Sequence, residues 1–475
     1  MKKTICFAAA ALLALVSCSK AEIQDNRQLQ QEQENQEVDN NGPGKVSLTF
    51  NAFCIEVKAA LTTDGAEKGK VTWEVGDVIN IWDGVALAPV TLSSENITSG
   101  GKGATFTVSV ADAPSYVAVY DKSSRSSIGP DGKVTINPSA AINGDFASEH
   151  IAVAYCTSSS PNLVFRNVMT QVRFTLPSAG IDQVVFSAAD GAPFKTLVID
   201  PSDFSVAYSD SAVSEITVDT DASAAGASYC ISLPGGASLG SGFVLDLYDA
   251  SGVFQGHCYT FNALPAAEGK LYNLGEMVPA DKNYLRGGAF NSGEEVFWPC
   301  VNNDGGAGKG AGVRPGQASV TGGKLSYTIT ERCYHAFYQK VRLTAGTYRM
   351  NTDYYNAGNA GNGGRTYAVI TKTAPVNDAT FESYNATNVV AGGRREGNVN
   401  TAQDALCFGW NAYVGGSASN QPQYLPSEGA TKGESWANVT IETPGDYYFV
   451  IAAEIWTAGG SGWTASYDNA YLIKQ

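Results

Sequence analysis

Histidine is nearly missing from this chain. Only His150, His257 and His335 occur in 475 residues, which excludes a multi-histidine zinc centre and leaves no Ser-His-Asp arrangement at suggestive spacing. Charge is scarce as well: 16% of residues are Asp, Glu, Lys or Arg, against roughly 25% in an average globular chain. Basic residues are the rarer sign, 31 Lys and Arg against 46 Asp and Glu, for a net charge of −15. Binding phosphates requires a basic footprint, so nucleic acid is excluded as the main partner. No run of 18 apolar residues occurs, so no segment is long enough to cross a bilayer as a helix. Helical apolar spacing is nowhere sustained, which excludes a helical bundle. The metalloprotease HExxH, the hydrolase GxSxG and the P-loop are absent, as is any CxxC pair.

What is present points to β-structure. The chain holds 51 Gly, 23 Tyr and 19 Phe, the residues of turns and strands, and its length suggests about three domains. Residues 1–282 carry 17 basic and 31 acidic side chains, whereas residues 283–475 carry 14 and 15. Five of the seven Trp and 15 of the 23 Tyr lie after residue 282. That shift in charge and aromatic content predicts a domain boundary there.

The first residues form an export signal. Lys2 and Lys3 precede an apolar run from Ile5 to Val16, too short to span a bilayer of ~30 Å. The run ends in Leu15-Val16-Ser17-Cys18, which resembles a lipobox. The resemblance implies removal of residues 1–17, acylation of Cys18 and membrane attachment through lipid. Residues 18–44 are rich in Gln, Asn and Glu and lack the apolar content to offset the entropy of ordering, so they are expected to be a disordered tether. This acidic stretch resembles the tethers of surface-exposed lipoproteins of Bacteroidota, implying the outer face of the outer membrane. Seven cysteines follow Cys18. Buried thiols are the expectation, with Cys300 and Cys333 close enough in sequence to consider as a pair.

From Lys45 to about Pro279, short runs alternate apolar and polar residues with period two, as in 46–53, 104–110, 115–120, 171–176 and 243–249. Such alternation buries one face and wets the other. Turn dipeptides at 64–65, 83–84, 131–132, 190–191 and 235–236 fit hairpins.

The motifs in this region resemble the fimbrillin-like lipoproteins of Bacteroidota. Trp73-Glu74-Val75-Gly76-Asp77-Val78-Ile79-Asn80-Ile81 is similar to the family's W-x-x-G-D-x-I-x-(I/V) element. Phe165 to Phe174 is similar to its F-x-H-x-x-(A/S)-x-(V/L)-x-F strand, with Asn167 in place of His. Leu271-Tyr272-Asn273-Leu274-Gly275 is similar to the closing strand. Asp77 is expected to be a turn former. The resemblance covers about residues 45–280 and implies two β-sandwich subdomains, 45–155 and 156–282. It also implies fimbrial subunits as partners by strand exchange, in which proteolysis near the first strand opens a groove for a neighbour's strand. Lys58 and Arg27 are the candidate cleavage positions; the alternative is that both are ordinary surface charges.

Residues 283–475 carry Asn283-Tyr284-Leu285-Arg286-Gly287-Gly288-Ala289-Phe290, two Gly-x-Tyr turns at 346–348 and 445–447, and a closing Tyr467-Asp468-Asn469-Ala470-Tyr471-Leu472. They resemble the jelly-roll sandwich of galactose-binding-like domains and carbohydrate-binding modules, which implies a glycan partner. A sugar ring stacks its C–H face on Trp or Tyr and hydrogen-bonds its hydroxyls to polar side chains. Trp410, Tyr413, Trp456 and Trp463 are the candidate stacking residues, with Asn411 and Arg365 as polar partners; filling the sandwich core is the alternative role. The resemblance also implies a structural calcium, for which Glu294 and Asp468 are candidate oxygen ligands. No other cofactor is expected.

The expected fold class is therefore all-β, with two fimbrillin-like β-sandwich subdomains followed by a C-terminal jelly-roll β-sandwich. Glu442 and Glu454 are the one carboxylate pair considered for glycoside hydrolysis. They lie twelve residues apart in a region resembling binding modules, and no enzyme is expected. Two functions remain open: an accessory or tip fimbrial adhesin, or a freestanding glycan-capturing surface lipoprotein. Asp210-Ser211-Ala212 also resembles a bacterial O-glycosylation acceptor pattern.

Overall fold

A computed structural model describes residues 44–54, 72–146, 149–221, 224–236, 239–279 and 281–303. In the last third it describes 319–320, 322–329, 333–358, 364–372, 374–375, 389–391, 406–411, 436–455 and 463–475. Cys18, Arg27, Lys58, Tyr413 and Trp456 lie outside the described residues. The described residues are strands and turns with two short 3-10 segments and no α-helix, so the all-β expectation holds. No described helix is long and apolar enough to cross a membrane.

The first sheet contains β1 (Lys45–Cys54), β2 (Val78–Trp82), β3 (Leu87–Thr91), β4 (Ile97–Thr98), β5 (Gly103–Ala111) and β6 (Ser115–Asp121). The strands β7 (Ser126–Ile128), β8 (Val134–Ile136) and β9 (Ala141–Ile142) leave it, and β10 (Ile151–Thr157) and β11 (Asn162–Asn167) return. Its order is β3-β2-β6-β10-β11-β1-β5-β4. Period-two alternation places Leu48, Phe50 and Ala52 of β1 in the core, and β1 pairs antiparallel with β5 and parallel with β11. Both edges of the sheet are blunted. β4 has only two residues. In β3 the Leu92 N–H donates inward to Asp77 O, so the outward donors fall at 87, 89 and 91. Proline occupies position 89 and removes the middle one.

The second unit contains β12 (Met169–Thr175), β13 (Gln183–Ala188), β14 (Phe194–Asp200), β15 (Ser205–Val213), β16 (Glu215–Asp219), β17 (Ser228–Pro234), β18 (Phe243–Tyr248), β19 (Phe254–Thr260) and β20 (Leu271–Glu276). They form the sheets β17-β12-β20, β19-β18-β13-β16-β9 and β15-β14-β8-β7. Phe186 stacks between Phe194 and Phe243 in its core, with centroids 5.7 and 5.5 Å away. The boundary expected at 155/156 cuts through β10. The first sheet runs on to Asn167, while β8 pairs with β14 and β9 with β16. Local alternation locates strands but not their partners, and these partners lie about 60 residues apart in sequence for β8 and β14 and about 75 for β9 and β16.

The C-terminal unit contains β21 (Cys300–Asn303), β22 (Ser319–Val320), β23 (Leu325–Ile329), β24 (Cys333–Leu343), β25 (Gly346–Gly358), β26 (Gly364–Thr371), β27 (Val389–Ala391), β28 (Leu406–Asn411), β29 (Trp436–Ile441), β30 (Gly445–Ile455) and β31 (Trp463–Lys474). One sheet runs β21-β24-β30-β26-β27 with β28 also on β26; the facing sheet runs β22-β23-β31-β25-β29. The two Gly-x-Tyr repeats turn out to be matching corners. The Tyr348 hydroxyl donates to Thr344 O at 2.9 Å, and the Tyr447 hydroxyl donates to Thr443 O at 2.5 Å. Each ring thereby closes the turn four residues upstream, in the manner of a tyrosine corner. Cys156, Cys230 and Cys258 are thiols; Cys300 stands opposite Phe337, and Cys333, the partner considered for it, lies further along the same strand, about 13 Å away by strand rise.

Candidate binding end of the C-terminal sandwich

The Trp-x-x-Gly-Asp element is a structural device. Trp73 is buried and packs edge-on against Tyr120 and Phe165, each with centroids 5.2 Å away. Gly76 takes a φ of +95°, a conformation that strains any residue with a Cβ. Asp77 is buried; its carboxylate accepts from Glu74 N at 2.8 Å and Tyr120 Oη at 3.1 Å, and pairs with Lys122 Nζ at 2.9 Å. It both forms the turn and ties it to the core.

The second and third units share one hydrophobic core. Val185, Val244, Tyr248 and Phe254 pack with Tyr284, Leu285, Phe297, Val341 and Leu343. A chain of rings crosses the junction: Tyr248 to Phe254 at 5.6 Å, Phe254 to Tyr284 at 4.6 Å, and Tyr284 to Tyr348 at 5.4 Å. Asp246 of β18, buried, pairs with Arg286 Nη2. Arg286 N donates to Gln339 Oε1, and Gln339 Nε2 donates back to Arg286 O. Outside this core, Lys340 and Arg342 bridge Asp446 and Glu215. The crevice left there holds about 20 Å³, room for a water and far below a saccharide site.

Glu294 belongs to the same junction. Its carboxylate accepts from Asn291 N at 2.7 Å, Asn291 Nδ2 at 3.0 Å and the Tyr259 hydroxyl at 3.0 Å. The Asp468 carboxylate accepts from Asn469 N at 2.7 Å. Among the described residues no group of three His, Cys, Asp or Glu side chains is arranged to hold a metal ion.

Burial pushes two histidines down to about 4. His150 lies near Asp77, which opposes the shift, and Lys122, which adds to it. His257 lies near Asp246 and Asp281, which oppose it, and Arg286, which adds to it. Both are neutral in the fold at pH 7. Between pH 6.5 and about 4 the unfolded chain binds protons that the folded chain does not. Stability therefore falls with falling pH, by about 1.4 kcal/mol per unit per histidine. Thermal unfolding should show a melting temperature that drops from pH 6.5 to pH 5, and His150→Gln and His257→Gln should each flatten the slope. A melting temperature constant over that window would contradict buried neutral imidazoles.

The candidate sugar-binding positions gather at the end of the sandwich away from the junction. Lys340 to Leu343 of β24 lie at the junction, and β24 extends to Cys333, about 30 Å along the strand. At that far end Cys333 is opposite Ile455, Gly364 is opposite Ile455 and Asn411, and Gly358 and Ile329 are opposite Trp463. Arg365 is in register with Trp410. Arg365, Trp410, Asn411 and Trp463, which are spread over about 100 positions, thus share one end of the two sheets.

No protein-family profile matches this chain, and no curated protein matches it by sequence. Several solved structures are similar to parts of it. A candidate cell adhesion protein of Bacteroides ovatus is 12% identical, with 49% of this chain and 95% of that chain covered and a TM-score of 0.32. The tip fimbrial protein Mfa3 of Porphyromonas gingivalis is 11% identical, covering 44% and 80%, with a TM-score of 0.23. A carbohydrate-binding module in complex with β-1,4-galactotriose is 15% identical, covering 41% and 100%, with a TM-score of 0.20.

Proposed function

We propose that this chain is a non-enzymatic lipoprotein held on the outer membrane through Cys18, acting as an accessory or tip fimbrial adhesin. Its C-terminal sandwich contacts glycan or protein through the end formed by the last residues of β25, β28 and β30 and the first of β26 and β31. One observation carries this reading. The sandwich is fixed to its neighbour by one end, through a shared core and a buried ion pair, and the aromatic and polar candidates sit at the other. A structural calcium in the 283–475 unit is part of the proposal, tested by whether a chelator lowers its melting temperature.

The full chain, applied to a printed glycan array, is expected to bind, and Trp410→Ala, Trp456→Ala or Trp463→Ala to abolish the signal. Array-wide silence from folded protein would move the contact to a protein partner.

A second reading, the freestanding glycan-capturing lipoprotein, is favoured by β1. That strand already completes the first sheet, with β5 and β11 on either side. The readings divide on protease treatment. Cleavage after Arg27 or Lys58 with release of residues 45–58 and polymerisation supports strand exchange; a resistant β1 supports the freestanding protein.

A further inference from the structure

We infer that the tip of the β2–β3 hairpin, carrying Val85 and Leu87, is a docking surface for the lipid bilayer to which the chain is anchored. The inference rests on the lipid-anchor reading above and goes beyond it by naming the part of the fold that lies on the membrane.

The tip is apolar and displayed. Val85 is 77% exposed and Leu87 50%, and Ala86 and Pro89 beside them are exposed as well. From Gly84 to Ser94 the sequence holds no charged residue. The tip is also held in one shape. Asp83 Oδ1 accepts from Val85 N at 2.9 Å and from Ala86 N at 2.7 Å, and Gly84 takes a φ of +88°. Leu87 stands opposite Trp82, which packs on the core shared with the second unit. A tip already fixed in shape loses little freedom on contact.

The position of the chain entry selects a bilayer as the occupant. Asp83 Oδ2 accepts from Ala111 N at 2.8 Å, Ala111 is opposite Lys45, and Asp112 N donates to Gly44 O at 3.2 Å. The tip therefore stands beside the point where the chain arriving from Cys18 enters β1. Cys18 and Gly44 are 26 positions apart, a reach of at most about 90 Å. A tethered end is held at an effective concentration on the order of mM, where even a weak apolar contact is populated. Edge chemistry argues against a strand from a second copy, because Pro89 removes the middle outward donor of β3. Charge fits a membrane too. Lys45 and Asp112 are exposed at this end and cancel, so the tip avoids the repulsion that a chain of net charge −15 meets at an anionic leaflet.

Hydroxyl-radical footprinting of the full chain tests the contact, because oxidation reads the exposure of side chains to water. The lipidated chain on vesicles of phosphatidylethanolamine and phosphatidylglycerol is compared with the Cys18→Ser chain free in solution. Oxidation of Val85 and Leu87 is expected to fall about threefold or more on the vesicles. Val206 and Tyr208, exposed on the second unit, should keep their solution levels. Val85→Glu, at an exposed position, should leave the melting temperature unchanged and return Leu87 to its solution level, since a carboxylate is costly to bring into lipid. Unchanged oxidation of Val85 and Leu87 in chain that floats with the vesicles overturns the docking surface and leaves the anchor intact. Protection of Leu87 that survives Val85→Glu overturns an apolar contact at the tip. Protection that arises in the Cys18→Ser chain without lipid, as protein concentration is raised, overturns the bilayer as the occupant in favour of a second copy. A parent chain that does not float with the vesicles overturns the lipid anchor and the inference with it.

Discussion

Arg286→Ala is expected to lower the stability of the second and third units together, by about 3 kcal/mol. Arg286 meets Asp246, whose side chain is 9% exposed, across the junction. Removing the guanidinium leaves a buried carboxylate without its counter-charge. The arginine is 22% exposed, so water screens part of the loss and the value sits at the low end for buried pairs. Urea unfolding followed by tryptophan fluorescence reads it, because four of the five Trp after residue 282 lie in strands or buried positions of that unit. Arg286→Lys should recover only part, since an ammonium cannot reproduce the planar fork. A change below about 1 kcal/mol would mean that the pair behaves like an exposed one, and the junction would then be held by apolar packing alone.

Trp73→Ala is expected to cost the first sandwich about 3–5 kcal/mol. The indole is 3% exposed and wedged edge-on between Tyr120 and Phe165, so truncation opens a cavity beneath the Gly76-Asp77 turn. Calorimetry should show the transition that includes the first sandwich moving down, because Val134, Ile136, Leu197 and Ile199 bind it to the second unit in one core. Trp73→Phe should fall between the two. A loss under about 1 kcal/mol would contradict the turn's anchorage through this ring.

Much of this architecture is legible in the sequence, for reasons particular to each element. The alternation in 46–53 places Leu48, Phe50 and Ala52 inward, as found, because β1 has one wet face. The same logic misleads at 243–249. There the pattern assigns Asp246 to water, yet β18 is buried along its whole length. Its second face is covered by Tyr284, Leu285, Val341 and Leu343, and a local pattern carries no signal of a second layer so distant in sequence. The Gly-x-Tyr repeats are visible as pattern but not as corners, since the hydroxyl's acceptor lies before the motif. At the far end of the C-terminal sandwich, Trp410, Trp463, Arg365 and Asn411 are legible in the sequence as a composition typical of sugar sites.

Hydrogen exchange of the full chain, with and without the strongest binder from the glycan array, tests the central claim most directly. The account predicts slowed exchange in 333–336, 364–368, 406–411 and 452–455, with 344–348 and the first sandwich unchanged. Slowed exchange confined to the junction at 340–343 and 284–286, or to residues 45–54, would contradict it.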